Sequence, residues 1–151
     1  DVYDFMKVYL DTCSLQRPLD TRSHIRISLE AEAVLGIIEL IESGVVDLVS
    51  SDVLLFETRR NPISERRTYA LEVLGKAKLI TNVQKKIQQR ALELQEQGLK
   101  PLDALHLASA EAAEVEFFCT VDDKLLTRGK SLAQSDLRVV SPIELIEELM
   151  T

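Results

Sequence analysis

The sequence predicts an α/β fold, a three-layer α/β/α sandwich around a central, mostly parallel five-stranded sheet. Short apolar runs alternate with longer helical patterns along the whole 151-residue chain. That order favours parallel strands joined by helical crossovers lying on both faces. One helical stretch is rich in small residues (Ala104, Ala108, Ser109, Ala110, Ala112, Ala113), which allows close packing on a sheet. No repeat, low-complexity tract or linker interrupts the pattern, so residues 1–151 read as one domain.

The elements follow in order. Residues 7–10 read as a short buried strand, and a loop with Arg17-Pro18 as a breaker follows. From about Ser23 to Ser43 the pattern is helical, with Ile27, Val34, Ile38 and Ile41 near one face and the glutamates mostly elsewhere. Gly44 ends that helix. Residues 45–49 form the second strand, and Ser51-Asp52 starts a helix running to about Arg60. Asn61-Pro62 breaks the chain, with Pro62 placed in the first turn of a helix reaching Leu74. Residues 78–81 are the third strand. Residues 83–97 form a helix capped by Gly98, and Pro101 opens the next, to about Val115. Residues 116–120 are the fourth strand, 122–128 a short helix and 137–140 the fifth strand. Ser141 and Glu144 form a capping box for the last helix.

Composition narrows the class. With 46% hydrophobic and 28% charged residues the chain is globular rather than disordered. No run approaches the roughly 20 apolar residues of a membrane span. Residues 1–5 lack the basic start and apolar core of a signal peptide, and Met6 reads as the native start, with 1–5 set aside. Cys13 and Cys119 have no metal-site spacing and read as two reduced, buried thiols of a cytoplasmic protein. The net charge of −7 argues against a general nucleic-acid coating protein. Residues 58–90 run the other way, with nine basic side chains against two acidic ones. A basic segment beside an acidic site suits a phosphodiester substrate, although solvated helix faces would look the same.

Four acids mark segment ends. Asp11 closes Lys7-Val8-Tyr9-Leu10, Glu57 ends Val53-Leu54-Leu55-Phe56, Asp103 opens the helix at Pro101, and Asp122 follows the fourth strand. Each has a structural explanation as a cap, a dipole partner or a surface residue. A parallel sheet, however, brings its strand C-termini to one edge, where such folds bind ligands. Carboxylates gathered there repel one another unless a divalent cation is present. Oxygen donors suit Mg²⁺ or Mn²⁺, whereas His and Cys would select zinc. Two such ions can clamp the attacking and leaving oxygens of an in-line displacement at phosphorus.

The surroundings of these acids resemble the PIN-domain family over nearly the whole chain. Asp11-Thr12-Cys13-Ser14-Leu15-Gln16-Arg17-Pro18 resembles the family's first-acid segment, and Ser51-Asp52-Val53-Leu54-Leu55-Phe56-Glu57 the second-acid helix. Leu102-Asp103-Ala104-Leu105-His106-Leu107-Ala108 is similar to the third-acid helix, and Phe117-Phe118-Cys119-Thr120-Val121-Asp122-Asp123 to the fourth-acid segment. The resemblance implies a Mg²⁺- or Mn²⁺-dependent ribonuclease with two ions. Asp11, Asp103 and Asp122 would be metal ligands, and Glu57 would bind directly or through water. Thr12 and Thr120 would support the site, and Asp123 competes with Asp122 as the fourth acid. Gln16 stands where close members would carry Asn. Arg17, Arg59 and Arg60 are candidate RNA contacts. His106, three residues after Asp103 on a helix, is a weaker candidate for a general base, and His24 weaker still. Short PIN proteins also resemble VapC-type toxins, which implies an antitoxin partner over the active-site edge, and similar proteins often form homodimers.

Rival phosphate-handling folds fit less well. A receiver domain needs an acid pair near the first strand's end, and Val8-Tyr9-Leu10 supplies none. A haloacid-dehalogenase-like site needs Asp two residues after the first Asp, where this chain has Cys13. No Gly-x-Gly-x-x-Gly follows the first strand. The non-enzyme alternative is a catalytically silent PIN-like module that binds RNA or protein.

Overall fold

A computed structural model of the chain describes residues 6–134 and 136–151. Residues 1–5, which the sequence sets apart from a start at Met6, lie outside the described residues. Five strands, β1 (Met6–Leu10), β2 (Val46–Ser51), β3 (Leu79–Thr81), β4 (Phe117–Cys119) and β5 (Arg138–Val140), form one sheet in the order β3-β2-β1-β4-β5. All four pairings are parallel. The expected five-stranded α/β architecture is therefore present, and the sheet is parallel throughout.

Strand β1 is central because its residues are apolar on both faces. Val8, Tyr9 and Leu10 are fully buried, each burial contributing about 1.5–3 kcal/mol for a large apolar side chain. Chain order runs outward from β1 through β2 to β3, then crosses back to β4 and β5. Right-handed crossovers then place the connecting helices on opposite faces. Helix α2 (Ile25–Glu42) packs with α8 (Pro142–Leu149), and α5 (Lys85–Glu96) packs with α6 (Pro101–Ala112). The order reverses at β1, so the crevice between β1 and β4 is the switch point where parallel sheets bind ligands.

Most local signals act as the sequence predicts. Gly44 and Gly98 take positive φ of 79° and 110° after α2 and α5, the left-handed cap that glycine adopts without penalty. Ser51 caps α3 (Asp52–Arg59) by accepting from the Leu54 amide. Ser141 and Glu144 complete their capping box on α8. Gly129, in α7 (Asp123–Leu132), serves close packing instead, since a Cβ there would meet Val139 Cγ1 at 3.0 Å.

Four expectations are corrected. The segment after Asp11 is not a loop but helix α1 (Thr12–Gln16) followed by a 3₁₀ turn, Arg17–Leu19, that holds Pro18. The Asp11 carboxylate caps α1, and five residues are too short to show a helical period. Pro62 precedes α4 (Ser64–Leu74) rather than sitting in its first turn. The Asn61 side chain accepts from the Ile63 amide at 2.9 Å and turns the chain across the proline. Helix α7 continues to Leu132, beyond the expected 128, because Gly129 allows it to lie close against Val139. Cys119 is buried as expected, but Cys13 is exposed, because α1 turns it away from the strand end.

Candidate active site at the β1–β4 crevice

The site is built outward from the end of β1. The Asp11 amide donates to Cys119 O at 3.1 Å, continuing the ladder with β4 one residue past the strand. Its side chain is buried and accepts from the Ser14 amide at 2.9 Å. Burial pushes the Asp11 carboxyl above its ordinary range, opposed by hydrogen bonds from Thr120 and Ser14. Thr120, the first residue past β4, also accepts from the Asp122 amide at 3.1 Å. One threonine thus touches both acidic residues, Asp11 at its carboxyl and Asp122 at its backbone amide.

Asp122 caps α7, its Oδ1 accepting from the Leu125 amide at 3.0 Å. Capping and a site role coexist here, because the cap uses one carboxylate oxygen. Asp103 lies in the first turn of α6 and lines a small cleft with Asp122, Lys100, Lys124 and Arg128. Its carboxyl is pushed up by partial burial, then by the charge of Asp122, with a further push from Glu57. His106 and Lys100 pull it back.

Glu57 does not sit at a strand end. It stands mid-way along α3, and its Oε1 accepts from His106 Nε2 at 2.9 Å and from the Thr12 hydroxyl. The hydrogen bond from His106 holds its carboxyl below the usual range, against partial burial and with help from Thr12. Thr12 therefore supports Glu57 from α1, while Thr120 supports Asp11 and Asp122.

Cys13 reports the convergence of all four acids. Partial desolvation of the thiol and the charges of Asp11, Glu57, Asp122 and Asp103 together push it up to about 12. Carboxylates from β1, α3, α6 and α7 thus share one electrostatic neighbourhood, although they are 46 or more residues apart except for the last pair. Among the described residues, no three carboxylate, imidazole or thiol groups stand together so as to hold a metal ion as they are arranged. The donor set itself fits a hard divalent cation: oxygen ligands, with two of the carboxyls raised toward protonation by burial and, for Asp103, by neighbouring charge.

Asp123, the competing fourth acid, faces elsewhere. It is exposed and bonded to Arg26 through both oxygens, at 2.6 and 3.1 Å, which pulls its carboxyl down. Arg17 is not open for a ligand as expected: it pairs with Asp20 and Glu30, both at 2.8 Å. Arg59 and Arg60 are exposed, and Arg60 lies 5.2 Å over the Phe56 ring. Three of the nine basic side chains of the 58–90 segment are ion-paired, Arg66 with Asp20, Lys76 with Glu42 and Arg90 with Glu111. His24 lines a separate cleft with Arg17, Arg26 and Asp123. The sequence pattern missed Tyr9 and Ser51. Their signal was faint: Tyr9 is a polar tip inside an otherwise apolar strand.

The chain also compares with known proteins. Residues 8–130 match the PIN domain. No curated protein matches the chain. Among solved structures, PAE2754 from Pyrobaculum aerophilum aligns over 97% of this chain and 98% of its own, with 15% identity and a TM-score of 0.57. VapBC2 from Rickettsia felis, solved bound to a DNA fragment from its promoter, aligns over 90% of this chain and 98% of its own (15%, 0.57). VapC20 from Mycobacterium tuberculosis, described as a sarcin–ricin-loop-cleaving toxin, aligns over 81% and 95% (14%, 0.56). At these identities the structures speak for the fold alone. The match over residues 8–130 shows that this chain belongs to the PIN-domain family.

Proposed function

We propose that the chain is a divalent-metal-dependent endoribonuclease that hydrolyses RNA phosphodiester bonds. The observation that carries this reading is that Asp11 sits beside the end of β4, that Glu57 is bonded to Thr12 next to it and to His106 one turn from Asp103, and that Asp103 and Asp122 line one cleft. Asp11, Asp103 and Asp122 would hold Mg²⁺ or Mn²⁺, with Glu57 ligating directly or through water. Asp122 is favoured over Asp123, which is committed to Arg26. Two bound ions would supply an activated water and charge stabilisation for in-line displacement, with 5′-phosphate and 3′-hydroxyl products. Thr12 and Thr120 orient the acids, and Arg59 and Arg60 are the arginines exposed for phosphate contact.

The likeness to VapBC2 and VapC20 supports a toxin role, with an antitoxin protein covering the crevice. We place the protein in the cytoplasm, and a homodimer belongs to the same reading. No helix among the described residues is long and apolar enough to cross a membrane.

One observation favours a second reading, a catalytically silent RNA- or protein-binding module: the described acids are not already drawn into a closed centre. RNA cleavage with Mn²⁺, Mg²⁺ or EDTA, by wild type and Asp11→Asn, separates the two. The nuclease reading expects cleavage with metal, none with EDTA, and a loss beyond about a hundredfold in the variant, exceeding the effect of outer-shell changes. Equal activity in Asp11→Asn sinks it.

A further inference from the structure

We propose that His106 is a positioning residue for Glu57, oriented by a buried hydrogen-bond chain that begins and ends on the same helix, α3. This rests on the reading of Glu57 as a ligand. His106 is buried, and so are Tyr9 and Ser51. His106 Nε2 lies 2.9 Å from Glu57 Oε1, and its Nδ1 lies 2.7 Å from the Tyr9 hydroxyl. The Tyr9 hydroxyl lies 2.6 Å from Ser51 Oγ, which accepts from the Leu54 amide at 3.0 Å.

A carboxylate only accepts, so Nε2 carries the proton toward Glu57 in either state of the ring. Nδ1 shares the second hydrogen bond with the Tyr9 hydroxyl, accepting when it is bare and donating when it is protonated. The Tyr9 hydroxyl shares the next with Ser51 Oγ, which also takes the Leu54 amide. Every polar atom along the chain is satisfied, as a buried network requires. The chain therefore defines one ring orientation, with Nε2 facing Glu57 and Nδ1 facing Tyr9.

Its anatomy suits an orienting role. Ser51 is the cap of α3 and Glu57 lies on that helix, while Tyr9 comes from β1 and His106 from α6. The ring of Tyr9 is locked by stacking on Phe118, with centroids 5.3 Å apart. His106 and Thr12 both donate to Oε1, leaving Oε2 as the oxygen for an external ligand. Asp103 and His106 lie three residues apart on α6, one turn of one face. Any shift of that turn would move a ligand and the orienting donor together.

Mn²⁺ binding tests this directly, read from the paramagnetic resonance signal of the free ion, with no RNA present. Wild type, His106→Leu, His106→Gln and Tyr9→Phe are compared, and folding is checked by circular dichroism. Removing the donor in His106→Leu is expected to weaken binding by about tenfold or more, the usual outer-shell effect. His106→Gln, which keeps an amide donor, is expected to recover most of that loss. Tyr9→Phe keeps the ring stack and is expected to lose a smaller factor. Unchanged affinity in a folded His106→Leu overturns the inference and leaves the ligand reading standing. Wild type that takes up no Mn²⁺ overturns both. Should His106→Leu fail to fold, Tyr9→Phe decides: weaker binding supports the chain, and wild-type affinity overturns it.

Discussion

Two regions of this molecule hold buried carboxylates, and they treat them in opposite ways. Glu30, inside α2, is buried and accepts from two guanidiniums: Arg17 at 2.8 Å and Arg26 at 3.2 Å. Arg17 in turn holds Asp20, which Arg66 also holds at 2.8 Å. Each negative charge there has a positive neighbour, so the cluster ties α2, the 3₁₀ turn and α4 together. At the β1–β4 crevice, Asp11 is just as buried but is answered only by hydrogen bonds from Ser14 and Thr120 and the more distant field of His106. Asp103 is raised by partial burial and then by Asp122, and His106 and Lys100 offset this without an ion pair to its carboxylate. A carboxylate neutralised by the protein is part of its structure. One left with excess charge is available to a ligand. The difference separates a buried glutamate that the protein neutralises from the capping aspartate proposed as a ligand.

Changes to stability should therefore have opposite signs in the two regions. The largest expected effect is at Glu30→Gln, which leaves the partly buried Arg17 with Asp20 alone while the half-exposed Arg26 keeps Asp123, and should cost about 3 kcal/mol, the low end for breaking a buried pair. Chemical denaturation of the metal-free protein measures it, and a loss within experimental error would remove the contrast. Next comes the cation itself. Mn²⁺ at about one hundred times its dissociation constant should stabilise wild type by about 2.7 kcal/mol, and Asp11→Asn by far less. A thermal melt with and without Mn²⁺ is sufficient.

A smaller effect belongs to pH. The folded carboxyls of Asp11 and Asp103 are raised above their unfolded values. Each therefore stabilises most below the unfolded value, and that contribution is lost as pH rises through the folded value. Glu57 is lowered and works the other way, its contribution being lost only as pH falls through its depressed value. Metal-free protein should thus gain stability on mild acidification from neutral pH, above the ordinary carboxylate range. Asp11→Asn should flatten that gain, and a melting temperature independent of pH in wild type would contradict it. The smallest effect is at the rim. Arg60→Ala should weaken RNA binding a few-fold and reduce its salt dependence by about one phosphate contact, without changing metal affinity.

Legibility in the sequence follows the range of the forces involved. Strand and helix alternation, the glycine caps after α2 and α5 and the capping box of α8 are local, and the pattern reads them nearly in place. Helix α1 escapes because its start signal is the Asp11 carboxylate itself, which reads equally well as a loop residue or a ligand. Glu30 escapes because a glutamate on a helix reads as solvent-facing until Arg17 and Arg26 are known to close over it. His106 was visible as a neighbour of Asp103. Its partner Tyr9 lies 97 residues away, and no spacing rule spans that distance.

The sequence by itself determined the kind of chemistry available: hard oxygen donors at the ends of apolar segments, in a chain whose alternation forces a parallel sheet. Tertiary structure decided which donors meet. The strand order β3-β2-β1-β4-β5 places β1 beside β4, so that residues 11 and 122 flank one crevice that α3 and α6 complete with 57 and 103. The same packing turned Asp123 to Arg26 and gave Arg17 to Glu30. The physical reason is that burial and charge pairing depend on neighbours in space, and only the assembled sheet with its packed helices chooses those neighbours.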